Sequence, residues 1–199
     1  MTSNFQLFYI PLYNQHYTNT MIEEILKYNR DFVDRKGYEP YITSKYPDKK
    51  IAIVTCMDTR LVELLPAAMG IKNGDVKMIK NAGGVITDPF DSVMRSLLVA
   101  VYELGVNEIM VIGHTECGVQ GMNFKEMAHL MENRGISKDT ISLVQRCGID
   151  LNKWFEGFTD GKESVKKSVD LVKNHPFMPE DVKVSGYIMD SVTGELTCI

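Results

Sequence analysis

A chain of 199 residues with 44% hydrophobic content is long enough to bury a full core and short enough to be one folded unit. Its 22 basic and 26 acidic residues give a formal charge of −4, and no basic stripe gathers anywhere, which argues against nucleic acid as a partner. The apolar runs are broken by charge or glycine well short of the roughly 20 residues a bilayer crossing needs, and four dispersed cysteines are too sparse for a disulfide-built secreted domain, so a cytoplasmic protein with no membrane partner is expected.

Residues 1–19 show no periodicity, and from Thr20 onward Ile22, Ile25, Leu26, Phe32 and Val33 recur at helical spacing until Gly37. We therefore expect an N-terminal helical arm at about 20–35, within a single domain of residues 20–199. Met21 opens that helix, so residues 1–19 read as a disordered tail or a mis-assigned start. The segment 38–50 is polar, carries Pro40 and Pro47, and reads as a connection.

Beyond it, Ile51 to Cys56, Val76 to Ile79, Glu108 to Ile112 and Val184 to Met189 are short runs rich in apolar and β-branched residues. Helical patterns alternate with them: Leu61, Leu64, Leu65 and Ala68 stop at Gly70, and Val93, Met94, Leu97, Leu98, Val101 and Leu104 stop at Gly105. Two further helical stretches are expected at Thr140 to Phe155 and Glu163 to Asn174. This alternation predicts an α/β fold, a central, mostly parallel β-sheet flanked by helices and joined by right-handed crossovers. Ligands of such sheets gather outside the carboxyl ends of the strands.

Cys56 closes the first predicted strand, and His114-Thr115-Glu116-Cys117 follows directly on the third. Taken singly, Cys56 reads as a small buried residue and His114 as a satisfied polar group near a turn. Together they put two thiols and an imidazole at one sheet edge, with Gly113 and Gly118 freeing the backbone between them. Two cysteines and a histidine form a recognised catalytic zinc set, which leaves a fourth position open. Cys147 falls at helical spacing with Ile141, Val144 and Leu151 and is expected in the core, and Cys198 lies in the terminal residue pair. Neither is assigned to metal.

Asp58 and Arg60 follow Cys56 at two-residue steps, just ahead of the helix near Leu61. Asp58 could cap that helix, or the two could form an ion pair in which Arg60 aims the carboxylate toward a metal-held water. Asn81-Ala82-Gly83-Gly84 would approach the same edge after the second strand, where a simple turn explains it equally well.

Cys56-Met57-Asp58-Thr59-Arg60 and His114-Thr115-Glu116-Cys117-Gly118 resemble the Cys-x-Asp-x-Arg and His-x-x-Cys signatures of β-class carbonic anhydrases, most of all the compact prokaryotic branch. The resemblance runs from about Met21 to the end. It implies a β-carbonic-anhydrase-like fold, one Zn2+ per chain on Cys56, His114 and Cys117, and a catalytic dyad of Asp58 and Arg60. In some members the matching aspartate swings in as a fourth ligand and closes the site. The implied reaction is reversible hydration of carbon dioxide to bicarbonate and a proton, by a water that zinc makes ionisable near neutral pH. The implied assembly is a homodimer or homotetramer, with the N-terminal helix packed across the partner. Glu116 stands where the family commonly has aspartate.

Three other readings share these residues. The same zinc site could hydrolyse carbon disulfide or carbonyl sulfide, or a permanently closed site could be non-catalytic. A phosphatase-like nucleophile at Cys56 fits poorly, because only Met57, Asp58 and Thr59 separate it from Arg60 and Asp58 would repel a phosphate.

Overall fold

The computed structural model describes residues 20–199. The reading of residues 1–19 as a tail or mis-assigned start lies outside the described residues. Residues 20–42 belong to one compact unit and Thr43–Ile199 form the other.

In the first unit, helix α1 spans Met21–Asp34. Thr20 and Glu23 cap its start reciprocally, the Thr20 hydroxyl accepting from the Glu23 N–H and the Glu23 carboxylate accepting from the Thr20 N–H at 3.1 Å. The helix is strongly amphipathic but buries none of its residues: Met21, Ile22, Ile25 and Leu26 are all exposed. A single 3-10 turn at Glu39–Tyr41 follows, and Tyr41 rests its ring against Phe32.

The second unit is a five-stranded sheet: β1 (Ile51–Cys56), β2 (Val76–Asn81), β3 (Glu108–His114), β4 (Lys183–Met189) and β5 (Leu196–Cys198), in spatial order β2-β1-β3-β4-β5. The first four strands pair in parallel and β5 joins β4 antiparallel. The strand β1 is buried from Ala52 to Cys56, as its uninterrupted apolar run requires of a strand covered on both faces. The helices α2 (Leu64–Ala68), α3 (Ser92–Tyr102), α4 (Phe124–Asn133), α5 (Lys138–Arg146), α6 (Leu151–Trp154) and α7 (Gly161–Lys173) complete the unit. One core face packs Val93, Met94, Leu97 and Ala100 of α3 and Val165, Val169 and Val172 of α7 against Ala52, Val54, Ile109 and Val111. The other gathers Ile53, Leu61, Leu65, Ile112 and Met189 around Cys56 and Cys117.

Three expectations need correction, and two elements were not foreseen. The helix expected from Leu61 begins as a 3-10 turn at Thr59–Leu61, and α2 is only 5 residues long. The stretch Thr140 to Phe155 is two helices, α5 and α6, because Gly148 takes a φ of +91° that no α-helix accommodates. Cys147 is exposed as the residue after α5, not buried: α5 has no buried residue, and periodicity reports a face without reporting what covers it. Finally, α4 and the short strand β5 were not anticipated, and β5 places Cys198 opposite Tyr187.

Candidate metal centre

Chain order and spatial order diverge at one place in the sheet. After β1 the chain adds β2 on one side, then crosses to lay β3 on the other, so the carboxyl ends of β1 and β3 flank the point where the winding reverses. Cys56 is the last residue of β1 and His114 the last of β3. The register matches Thr55 with Ile112, and the Thr55 hydroxyl donates to the Ile112 carbonyl at 2.9 Å, tying the two strand ends together.

From His114 the chain turns sharply. Glu116 adopts a φ of +53°, unusual for a residue with a side chain, and this left-handed step brings Cys117 back beside Cys56. Arg60 holds the turn from outside, donating to the Glu116 carbonyl at 3.0 Å and to its carboxylate at 3.2 Å. Across the cleft, Gly84 has a φ of +64°, and a Cβ there would lie 2.7 Å from the Cys56 nitrogen and 2.8 Å from the Thr55 carbonyl carbon. Glycine is therefore a steric requirement of the Asn81–Gly84 turn.

Cys56, His114 and Cys117 are buried, at 5%, 5% and 6% exposure, and their ligand atoms all lie within 4.8 Å of one another. The two Sγ atoms are 3.8 Å apart, and two Zn–S bonds of about 2.3 Å at a tetrahedral angle span about 3.8 Å. The Nδ1 of His114 lies 2.8 Å from the Thr115 carbonyl, which can only accept from it, so in a neutral imidazole the lone pair is on Nε2. That Nε2 is buried without a hydrogen-bond partner. A buried polar atom left unsatisfied costs free energy, and a cation between it and the two sulfurs would remove that cost. The donor set, its spacing and the orphaned imidazole nitrogen all fit zinc. Burial pushes the Cys117 thiol up to about 11, helped by the neighbouring Cys56 and opposed by the Val119 N–H.

Asp58 both caps the turn and pairs with Arg60. Its Oδ1 accepts from the Arg60 N–H at 2.9 Å and so caps the 3-10 turn, and the same carboxylate takes Arg60 Nε at 3.0 Å and Nη2 at 2.9 Å. These side-chain and backbone hydrogen bonds from Arg60 bring the Asp58 carboxyl down to about 2. Its Oδ2 stands 3.9 Å from His114 Nε2. The carboxylate thus lies at the mouth of the cluster with both oxygens engaged by Arg60.

The structure brings together all five residues singled out in the sequence. Three contributors were missed: Glu116, as the second acceptor for Arg60; Lys80, whose ammonium donates to the Leu61 carbonyl at 3.2 Å behind the Asp58 turn; and Ser191, hydrogen-bonded to Thr115. The position of Glu116 inside His-x-x-Cys was the one available signal. Lys80 and Ser191 sit on strands and loops whose pairing the sequence does not display.

Residues 51–196 match the family model described as carbonic anhydrase. YtiB of Bacillus subtilis (strain 168), whose name carries carbonic anhydrase as a provisional assignment, is 49% identical over 180 residues, covering 90% of this chain and 96% of that protein. A carbon disulfide hydrolase of Acidithiobacillus thiooxidans is 31% identical over 158 residues, 75% of this chain and 76% of the relative. The crystal structure of a β-carbonic anhydrase from Trichomonas vaginalis aligns with a TM-score of 0.79 at 33% identity, over 90% of this chain and 97% of that one. With the family match running from the first residue of β1 into β5, and a solved β-carbonic anhydrase following the same path over nine tenths of the sequence, this protein belongs to the β-carbonic anhydrase family.

Proposed function

We propose that this chain is a zinc-dependent carbonic anhydrase, catalysing the reversible hydration of carbon dioxide to bicarbonate and a proton. The observation that carries the reading is the convergence of Cys56, His114 and Cys117 within 4.8 Å, beside an Asp58 carboxylate that Arg60 occupies on both oxygens. Those three residues would hold one Zn2+, which when bound supplies the Lewis acidity that brings the pKa of water from 15.7 to about 7. Asp58, ionised at any pH above about 2, accepts a hydrogen bond from the water and orients it. Arg60 keeps that carboxylate charged and engages both of its oxygens, which would oppose its joining the three residues as a fourth metal ligand. Two thiolates donate more charge than neutral imidazoles, and activity is expected to rise toward alkaline pH.

Zinc content and carbon dioxide hydration measured together in the wild type, Asp58→Ala and Cys117→Ala test this. We expect stoichiometric zinc and activity in the wild type, retained zinc with a loss of 10²-fold or more, on the order of a lost proton-handling group, in Asp58→Ala, and loss of zinc in Cys117→Ala. Full zinc with no hydration in the wild type would favour the non-catalytic closed site. The similarity to a carbon disulfide hydrolase supports a second reading on the same residues, hydrolysis of carbon disulfide or carbonyl sulfide. Purified enzyme assayed side by side on the three substrates separates them.

The assembly we propose is a homodimer or homotetramer acting in the cytoplasm, with residues 20–199 as its functional domain. No helix among the described residues is long and apolar enough to cross a membrane. The exposed apolar face of α1 supports the assembly, since Met21, Ile22, Ile25 and Leu26 remain between 51% and 72% exposed and such a stripe normally finds a cover. Ile25→Glu should lower the mass measured by light scattering toward that of one chain, and an unchanged mass would refute this role for α1.

A further inference from the structure

We propose that Thr115 and Ser191 are positioning residues that set the tautomer of His114 and aim its Nε2 into the cluster; as a statement about zinc affinity this rests on the function proposed above. The Thr115 carbonyl accepts from His114 Nδ1 at 2.8 Å, so wherever that carbonyl is fixed, the imidazole proton is fixed too. Thr115 is held at two other atoms. Its N–H donates to the Met189 carbonyl at 3.0 Å, and its hydroxyl oxygen accepts from the Ser191 N–H at 3.0 Å and shares a hydrogen bond with the Ser191 hydroxyl at 3.1 Å. Ser191 is itself only 4% exposed, in a loop that Asp190 closes by accepting from the N–H groups of Val192 at 2.9 Å and Thr193 at 2.7 Å.

The arrangement is a latch between the end of β3 and the loop after β4. It sits one residue before Glu116, whose left-handed φ of +53° would relax if the preceding peptide were free to rotate. Without the latch, that carbonyl can swing away from the imidazole. Nδ1 then loses its acceptor, and the proton can move to Nε2, the nitrogen that must offer a lone pair to a metal. The side chains of Thr115 and Ser191 do not belong to the cluster, yet they determine which ring nitrogen offers its lone pair to that cluster.

Two measurements on the full-length protein test this separately from the zinc assignment. In the metal-free protein, about two pH units above the ordinary histidine pKa of about 6.5, nitrogen NMR of the imidazole should show His114 protonated on Nδ1 in the wild type. In Thr115→Val, which keeps the shape and removes the hydroxyl, the signal should shift toward the Nε2-protonated form, and Thr115→Ser should restore it. In the zinc-loaded protein, chelator competition should show affinity lower by about 10- to 100-fold in Thr115→Val and near wild type in Thr115→Ser. A wild-type ring protonated on Nε2, or an unchanged tautomer in a folded Thr115→Val, overturns the latch. A wild type that takes up no zinc while showing the Nδ1 tautomer overturns the metal assignment and leaves the latch standing.

Discussion

Arg60 is the residue on which most of the polar geometry at the cluster mouth converges. It binds Asp58 through Nε and Nη2 and Glu116 through Nη1 and Nη2, so one planar cation joins the loop after β1 to the loop after β3. The fork of donors is what lysine lacks. Because Arg60 holds the Asp58 carboxyl at about 2, against an ordinary value of 3.8, the folded state binds this proton less tightly than the unfolded chain. The resulting stability is present in full above pH 3.8 and is lost as pH falls through about 2. The stability gap between wild type and Arg60→Gln, followed by urea denaturation, should therefore be open at neutral pH and close toward pH 2. A gap that persists at pH 2 would show that the arginine acts through packing alone. Since the Arg60 side chain is 38% exposed, solvent screening keeps the gap small.

Among the elements, α7 approaches the sheet most closely where the strands carry glycine. A Cβ on Gly186 of β4 would lie 2.9 Å from Val165 Cγ1 and 3.1 Å from Val169 Cγ2, and one on Gly113 of β3 would lie 2.8 Å from Val165 Cγ2. Gly186→Ala should lower the unfolding free energy by about 1–3 kcal/mol, read from the urea midpoint, as expected of overpacking against a helix that cannot retreat. The sheet itself was legible because β1 and β3 are buried strands whose apolar runs leave no competing pattern. The edge elements were not. Strand β5 is 3 residues long and owes its existence to pairing with β4, and α4 buries none of its residues; α5 did show helical spacing, but spacing could not tell that its apolar face stays uncovered. The same division holds at the site. Cys56, His114 and Cys117 announce themselves by chemistry and by their places at strand ends, whereas Thr115 and Ser191 matter through contacts across 76 residues of chain that no local pattern encodes.

For the molecule as a whole, the sheet winding and the cluster are one feature seen twice: the reversal between β1 and β3 opens the crevice, and Cys56, His114 and Cys117 stand at its rim. A metal held there contributes to the stability of the entire second unit, because the unfolded chain has no preformed site. At free zinc near 100 times its dissociation constant the gain is about 2.7 kcal/mol, so stripping zinc with a chelator should lower the midpoint of thermal unfolding by about 5–10 °C for a protein of this size. An unchanged midpoint would mean that the cluster binds no metal. The wide separation of the two cysteines also has a meaning for biosynthesis. Cys117 follows Cys56 by 61 residues, an interval of roughly 3–12 s at ribosomal rates of 5–20 residues per second. Through nearly all of that interval the earlier thiol has neither its sulfur companion nor its imidazole, so the three-residue cluster cannot yet exist. Any metal held by all three side chains must therefore wait until β3 has been laid beside β1.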